Sequence, residues 1–228
     1  MTPRDVSVII AALNEAERIE AAIGSAWKNG AGEVVVCDGG SEDRTAQLAR
    51  QSAATVVQSQ RGRGKQMAAG ASASTRDMLL FLHADNRLGD GCLDALCRCV
   101  DRAGDPRACW GGFRQRIDAE DAIYRWLEWG NALRVRWRGV PFGDQAMFAS
   151  RQLYEGVGGF QAVPLMEDVL LAQALRRRRW PLLVDGIVHI DARRWKSRGV
   201  IRQTARNWGI QIAHRLGVSE HRLERWYR

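Results

Sequence analysis

The sequence predicts an α/β fold, with a predominantly parallel, mixed sheet flanked by helices in a single domain. Three observations predict it. Short apolar runs rich in β-branched residues alternate with stretches of helical periodicity, the pattern of βαβ units. Four acidic signatures stand where extended apolar runs end: Asn14-Glu15 after VSVIIAAL, Asp38 in VVVCDGGSED, Asp85 in LLFLHAD and Glu167-Asp168 in PLMED. The 228 residues, 46% of them hydrophobic, fit the size of one such domain and can fill its core.

Each element follows from its own pattern. Val6 to Leu13 is too short and too β-branched for a buried helix and reads as a strand. Ile19, Ala22, Ile23, Ala26 and Trp27 then recur at helical spacing. Glu33 to Cys37 repeats the strand signal, and Ser41, with Glu42 and Asp43 behind it, reads as the N-cap of a helix reaching about Gln51. Thr55 to Val57 is a third short strand. The Gly-rich RGRGK precedes a helix near Gln66 to Ser74, and Met78 to Leu82 is the strongest strand. Beyond Asp85 the pattern loosens. Leu93, Leu96, Cys97 and Val100 mark a helix, and Ala108 to Ile117 a strand containing Gly111-Gly112. Ile123, Trp126, Leu127, Gly130 and Leu133 form one apolar helical face. Phe142 to Ala149 reads as a strand, Val169 to Arg178 as a helix, Leu182 to Ile190 as a strand, and Val200 to Leu216 as a final amphipathic helix.

Composition narrows the function classes. The formal charge of +8, from 34 basic and 26 acidic residues, is concentrated in the last third, at Arg176 to Arg179, Arg193, Arg194, Lys196 and Arg198. That imbalance favours anionic partners without choosing among them. No apolar stretch approaches the ~18 to 20 residues of a membrane span. The amino-terminal apolar run leads into a polar motif rather than a cleavage site, so the expected location is cytoplasmic. Five cysteines without a CxxC pair suggest reduced, mostly buried thiols rather than disulfides or zinc.

The strand-end acids carry the chemistry. Carboxylates at the carboxyl ends of parallel strands converge at the mouth of an open sheet, where ligands bind, and this suits a metal-bound, phosphate-bearing substrate. Asn14-Glu15 can hydrogen-bond a base or ribose there, or Asn14 can cap the following helix. Asp38, followed by Gly39-Gly40, can reach a ribose hydroxyl while the glycines admit a ligand; a plain turn is the alternative. RGRGKQ, residues 61 to 66, places Arg61, Arg63 and Lys65 among glycines before a helix, as a diphosphate requires, although it is not a Walker motif. His83-Ala84-Asp85 sets two candidate ligands on the same side of an extended segment. Asp85 suits Mg²⁺ or Mn²⁺, and His83 tilts the choice toward Mn²⁺. Glu167-Asp168 either stabilises a helix dipole or supplies a general base.

Taken in order, VSVIIAALNE, DGGSED, RGRGKQMAAG, LHAD, FGDQAMF, GGF, PLMED and ARRW resemble the family 2 glycosyltransferases of the GT-A fold, over roughly residues 5 to 197. The resemblance is to the short soluble bacterial members and implies a metal-dependent, inverting transfer of a single sugar from a nucleotide-diphosphate sugar to an acceptor hydroxyl. It divides the single domain of residues 1 to 228 into a donor half (5 to 105), an acceptor and catalytic half (106 to 197) and a basic amphipathic tail (198 to 228). Ala12, Asn14, Glu15, Asp38 and Gly39 would line the nucleotide pocket, with Arg63, Lys65, His83 and Ala84 near the donor. Asp85 matches the metal-binding acid of the family's DxD motif, whose first acid is replaced here by His83. Asp168 matches the catalytic base, with Glu167 its neighbour. Arg194 would face the diphosphate and Trp195 the acceptor, as the RW of a QxxRW motif whose Gln falls at Asp191.

Two regions bear on the acceptor, a small molecule or a lipid-linked one. Ala119 to Arg138 mixes Trp126, Trp129 and Trp137 with Arg125, Arg134, Arg136 and Arg138. The last helix combines Ile201, Trp208, Ile212 and Leu216 with Arg202, Arg206 and Arg215. Such helices can lie in a membrane interface, giving peripheral contact at the inner face of the membrane; the plainer expectation is that they pack on the sheet with solvated outer faces. Two rival classes are disfavoured. A nucleotidyltransferase would carry its Arg-containing phosphate loop right after the first strand, where this chain has AALNE. A nucleic-acid binder would organise its basic residues around a reader module, and strand-end acids would repel phosphate. A non-catalytic nucleotide binder remains as the alternative.

Overall fold

A computed structural model of the chain describes residues 1 to 193 and, beyond them, residues 195, 199, 200, 204, 206, 209, 210, 213, 218, 222, 223 and 226. The strands are β1 (Val6–Ala12), β2 (Glu33–Asp38), β3 (Thr55–Gln58), β4 (Met78–His83), β5 (Asn86–Leu88), β6 (Trp110–Ile117), β7 (Phe148–Ser150) and β8 (Leu182–Ile190). The helices are α1 (Ile19–Lys28), α2 (Thr45–Gln51), α3 (Arg63–Ala73), α4 (Cys92–Ala103), α5 (Ala122–Arg138), α6 (Arg151–Gly156) and α7 (Glu167–Arg176).

Among the described residues the strands form one sheet in the order β3, β2, β1, β4, β7, β6, β8, β5. The first four are parallel neighbours, β7 turns the sheet antiparallel against β4 and β6, and β6 and β8 are parallel again. All seven residues of β1 are buried, because helices cover both faces. Val8, Ile10 and Ala12 point into one apolar layer with α1 and α4, and Ile9 and Ala11 into the other with α3 and α7. A strand covered on both faces reads as a continuous apolar run. Register then aligns the strand ends: Ala12 pairs with Asp38 and Ala11 with His83, so their loops open on one edge. The five cysteines are free. Burial pushes Cys37 up to about 12 and Cys92 and Cys97 to about 11, which keeps them as thiols.

Several boundaries depart from expectation. The second helix starts at Thr45 rather than Ser41, because the Ser41 hydroxyl accepts the Asn14 N–H at 3.0 Å. Helix α3 begins inside RGRGK, at Arg63. The segment His83-Ala84-Asp85 is not extended throughout: β4 ends at His83 and a turn leads into β5, a strand that periodicity did not reveal. Of Phe142 to Ala149 only the end is strand; Gly143–Gln145 forms a 3-10 turn and Ala146 takes a left-handed φ of 45°. Helix α5 is turned around. Its inner face is Tyr124 and Val135 with Glu128, Asn131 and Arg134, while Ile123 and Trp126 of the expected apolar face are exposed. Hydrogen bonds fix that orientation: Glu128 accepts the Ile117 N–H, Asn131 donates to Gln115, and Arg134 donates to Gln145. Of the expected final helix, Ile201, Arg202, Trp208, Ile212, Arg215 and Leu216 lie outside the described residues.

Candidate active site

The loops at the carboxyl ends of β1 and β2 are tied to one another before any ligand is considered. Gln66 of α3, 3% exposed, donates from Nε2 to the carbonyls of Ala12 and Cys37, at 2.7 and 2.9 Å. Gly39 donates its N–H to Ala12, and a Cβ at Gly39 would lie 2.9 Å from the Gln66 side chain. The missing Cβ therefore makes room for Gln66. Asn14, at φ 54°, accepts the Glu42 N–H at 2.9 Å, so it clamps the loop after β2 and does not cap α1, which starts five residues later. Asp38 is buried and accepts the Ser41 N–H through both oxygens.

The acids of this edge meet around Arg193. Its Nη2 lies 2.8 Å from Glu15 Oε1 and 3.3 Å from Asp85 Oδ2. Asp191 holds it in place by accepting the Arg193 N–H at 2.8 Å, and itself pairs with Arg18 Nε at 2.8 Å. Burial raises the Asp191 carboxyl, but these partners outweigh it and hold the group below its ordinary value. The position read from sequence as the lost Gln of QxxRW thus anchors an arginine. Arg194 lies outside the described residues. Trp195 packs on Tyr124, with ring centroids 6.5 Å apart, beside Ile117 and Ala192.

A second cluster faces the first. Asp168, in the first turn of α7, accepts the Gly143 N–H at 2.7 Å on Oδ2 and the Val169 N–H at 2.8 Å on Oδ1. A Cβ at Gly143 would stand 2.8 Å from His83 Nε2 and 3.2 Å from Asp168 Oδ2, so any larger residue there would have to push these two side chains aside. Arg63 turns toward this cluster, with Nε 2.7 Å from Glu167 Oε1. Burial raises the Glu167 carboxyl and Arg63 opposes the rise. Gly64 lets α3 come this close, since a Cβ there would be 2.3 Å from the Gln161 carbonyl and 3.2 Å from Glu167 Cβ. Lys65, by contrast, donates to Gln60 at 2.9 Å on the surface. Arg63, Met67, Phe81, His83, Gly143, Glu167 and Asp168 line a small cleft.

Asp144 lies between the two clusters and was quoted in sequence only as part of FGDQAMF. Burial raises its carboxyl, Arg134 opposes that, and the charges of Asp168 and Asp85 raise it further. Its neighbour Gln145 is fully buried, accepting from Arg134 and the Phe142 N–H and donating to the Phe113 carbonyl. Burial brings Arg134 itself down to about 10. The available signal was the acid–amide pair Asp144-Gln145 inside an otherwise apolar stretch.

Comparison with known families decides the class. A model of glycosyl transferase family 2 matches residues 7 to 163. The chain belongs to that family. No curated protein matches it by sequence. As a family 2 glycosyltransferase, it shares its fold with several solved structures. One is TarS 1-349 of S. aureus, at TM-score 0.63 and 15% identity over 84% of this chain and 61% of that one. Another is the mannosyltransferase PcManGT from Pyrobaculum calidifontis, in complex with GDP-Man and Mn²⁺, at 0.63 and 21% over 83% and 57%. A third is the glucosyl-3-phosphoglycerate synthase from Mycobacterium tuberculosis, in complex with Mg²⁺ and UDP, at 0.54 and 20% over 82% and 69%. The chain spans about three fifths of the length of TarS 1-349. These likenesses establish the α/β fold of the GT-A glycosyltransferases. Asp168, Glu167 and Arg193 lie past the stretch that the family model matches.

Among the described residues no group of three His, Cys, Asp or Glu side chains is placed to hold a metal ion. Asp85, its Oδ2 3.3 Å from Arg193 Nη2, is a single carboxylate, so a hard cation held there would have to take its other ligands from a diphosphate and water, as Mg²⁺ does.

Proposed function

We propose that this glycosyltransferase moves a single sugar from a nucleotide-diphosphate donor to an acceptor hydroxyl, inverting the anomeric centre. The observation that carries the reading is the convergence of Glu15, Asp85 and Arg193 at the carboxyl edge of β1, β2 and β4, the place where open parallel sheets bind nucleotides. Asp38 and Glu15 are the acids positioned to accept hydrogen bonds from ribose and base, with Ala12, Asn14 and Gly39 forming the wall. Among the described residues Arg193 is the cation assigned to the expected diphosphate, a role the sequence motif gives to Arg194.

Asp168 is the proposed base. Two backbone N–H groups orient its carboxylate, which leaves further lone pairs to accept a proton from the acceptor hydroxyl. As that oxygen bonds to the anomeric carbon, the bond from the same carbon to the diphosphate oxygen breaks and the electron pair leaves with the nucleotide. Attack comes from the face opposite the leaving group, so configuration inverts. Glu167 supports the site by holding Arg63, and Trp195, which meets Tyr124 edge to face beside the second half of the sheet, is the proposed acceptor wall. Asp85 would hold Mn²⁺ or Mg²⁺, which would supply Lewis-acid stabilisation of the leaving diphosphate, while His83 faces the Asp168 side of the site.

Thermal unfolding against a panel of nucleoside diphosphates with Mn²⁺ tests the donor site. A nucleotide at ~100 times its Kd should add ~2.7 kcal/mol, hence a rise of several degrees, and Asp85→Ala should abolish the metal-dependent part. Once a donor is known, Asp168→Asn should lower donor hydrolysis or transfer by ~10² to 10⁴ while leaving that thermal shift intact. Unchanged turnover in Asp168→Asn would remove it as the base; no shift with any nucleotide would leave a relative that has lost its donor.

A further inference from the structure

Helix α5 carries its aromatic residues on the wrong side for a core helix. At 100° per residue, Ile123, Trp126, Trp129, Leu133 and Trp137 fall within a stripe of about 120°. That stripe faces outward: Ile123 is 40% exposed, Trp126 68%, Trp129 58% and Trp137 77%. The indoles of Trp126 and Trp129 meet edge to face, their centroids 5.9 Å apart, so they present one continuous surface. The helix cannot rotate to hide them, because Glu128, Asn131 and Arg134 are bonded inward to Ile117, Gln115 and Gln145.

The surround of this stripe is basic at its carboxyl end, while exposed Glu120 and Asp121 stand at the other. Exposed Arg136 and Arg138 close the helix, and the Arg138 carbonyl accepts from Arg176 at the end of α7. There, exposed Arg176, Arg177 and Arg178 stand with Trp180, which is 51% exposed and lies against Gly139. An exposed apolar patch of this kind marks an interaction surface. Tryptophan is the residue that favours the membrane–water interface, and arginines around an apolar helix face complement anionic headgroups. Among the described residues no helix is long and apolar enough to cross a membrane, so the contact is one of lying on the surface.

We propose that the outward face of α5, continued by the end of α7, docks this protein on an anionic lipid bilayer. The helix is about 10 Å thick, and its inner face touches Gln145 beside Asp144. Docking therefore brings the bilayer to within about one helix diameter of the acceptor side of the cleft, an arrangement suited to a lipid-borne acceptor. The acceptor consequence rests on the proposed transfer reaction; the docking does not.

The test is co-sedimentation of the full chain with vesicles of phosphatidylcholine alone and of phosphatidylcholine with phosphatidylglycerol. Binding is expected only to the anionic vesicles, should weaken with salt, and should fall about tenfold or more in Arg136→Gln/Arg138→Gln. The variant Trp126→Gln/Trp129→Gln should lose binding while keeping its melting temperature, and in the parent chain brominated lipids should quench tryptophan fluorescence. The nucleotide-induced thermal shift, measured alongside, separates loss of docking from loss of the donor site. Equal sedimentation of the Trp126→Gln/Trp129→Gln variant, or no binding to anionic vesicles, would overturn the proposal. So would a concentration-dependent dimer that this variant abolishes, since a second copy would then be what covers the face.

Discussion

The two ends of the sheet are built on opposite principles. From β1 to β4 every strand runs the same way between two helical layers, the interior is apolar, and the polar groups appear only where strands end. From α5 to β8 the strand directions mix, a polar helix face is turned inward, and tryptophans are turned out. The first half positions its acids by register: once Ala12 pairs with Asp38 and Ala11 with His83, the loops after β1, β2 and β4 open side by side. The second half positions Asp144 and Asp168 through hydrogen bonds, from Gly143 to Asp168 and from Arg134 to Gln145. Packing makes one wall of the cleft and a polar network makes the other.

If that contrast holds, crowding the helix–sheet layer of the first half should be costly. Gly70 lets α3 lie against the sheet, and a Cβ there would sit 2.4 Å from Ile9 Cγ2 and 2.6 Å from Cys37 Sγ. Both neighbours are fully buried, so relief requires the helix to move. Gly70→Ala should cost about 3 kcal/mol, the upper end for an overpacked core, lowering the melting temperature by ~6 to 12 °C. A fall of only a degree or two in a calorimetric scan would mean that this layer yields and that the rigid-packing half of the contrast is wrong.

At the seam between the halves the decisive term is charge. Glu167 is 4% exposed at its side chain and its Arg63 partner 37%. Arg63→Met should cost about 2 to 3 kcal/mol, at or below the low end for a broken buried pair because Arg63 is partly in water. The sign with pH is fixed. Glu167 already has its carboxyl raised by burial, and losing Arg63 raises it further. The neutral form is then the one the fold tolerates, so stability is greatest below the unfolded-state value and is lost as pH rises through the folded one. Urea melts across the acidic range should show this slope in Arg63→Met and its removal in Arg63→Met/Glu167→Gln. A flat profile in the single variant would show that Glu167 reaches water.

How much of this was legible follows from the same contrast. In the first half, doubly covered strands read as apolar runs and their ends announced Asp38, Glu15 and Asp85 without any structure. In the second half the hydrophobic pattern of α5 pointed the wrong way, because what turns the helix is a set of tertiary hydrogen bonds with no periodicity of their own. FGDQAMF read as a strand since its polar pair is short, yet Ala146 at positive φ bends it into the cleft. Arg193 was not singled out because a motif fixes neighbours in sequence, whereas its ion pair with Glu15 joins residues 178 positions apart. The role of Gly64 was also hidden: its partner, the Gln161 carbonyl, is distant in sequence, so the glycine read as part of a phosphate loop.

The smallest expected effects sharpen the contrast within one helix. Asn131 donates to Gln115 and accepts from Arg134, both at 2.7 Å, so Asn131→Leu strands two partly buried polar groups and should cost about 1 to 2 kcal/mol. Leu adds apolar surface to the inner face, which a simple amphipathic reading would count as a gain. Trp126→Gln removes a large apolar side chain from the other face, yet it should change stability by less than about 0.5 kcal/mol, since the indole is mostly in water already. Chemical denaturation of the two variants side by side decides it. If Trp126→Gln proves the more costly, the tryptophan face is covered in solution and α5 is an ordinary core helix after all; if Asn131→Leu does, the helix is held by its polar side and its aromatic side is free to meet a partner.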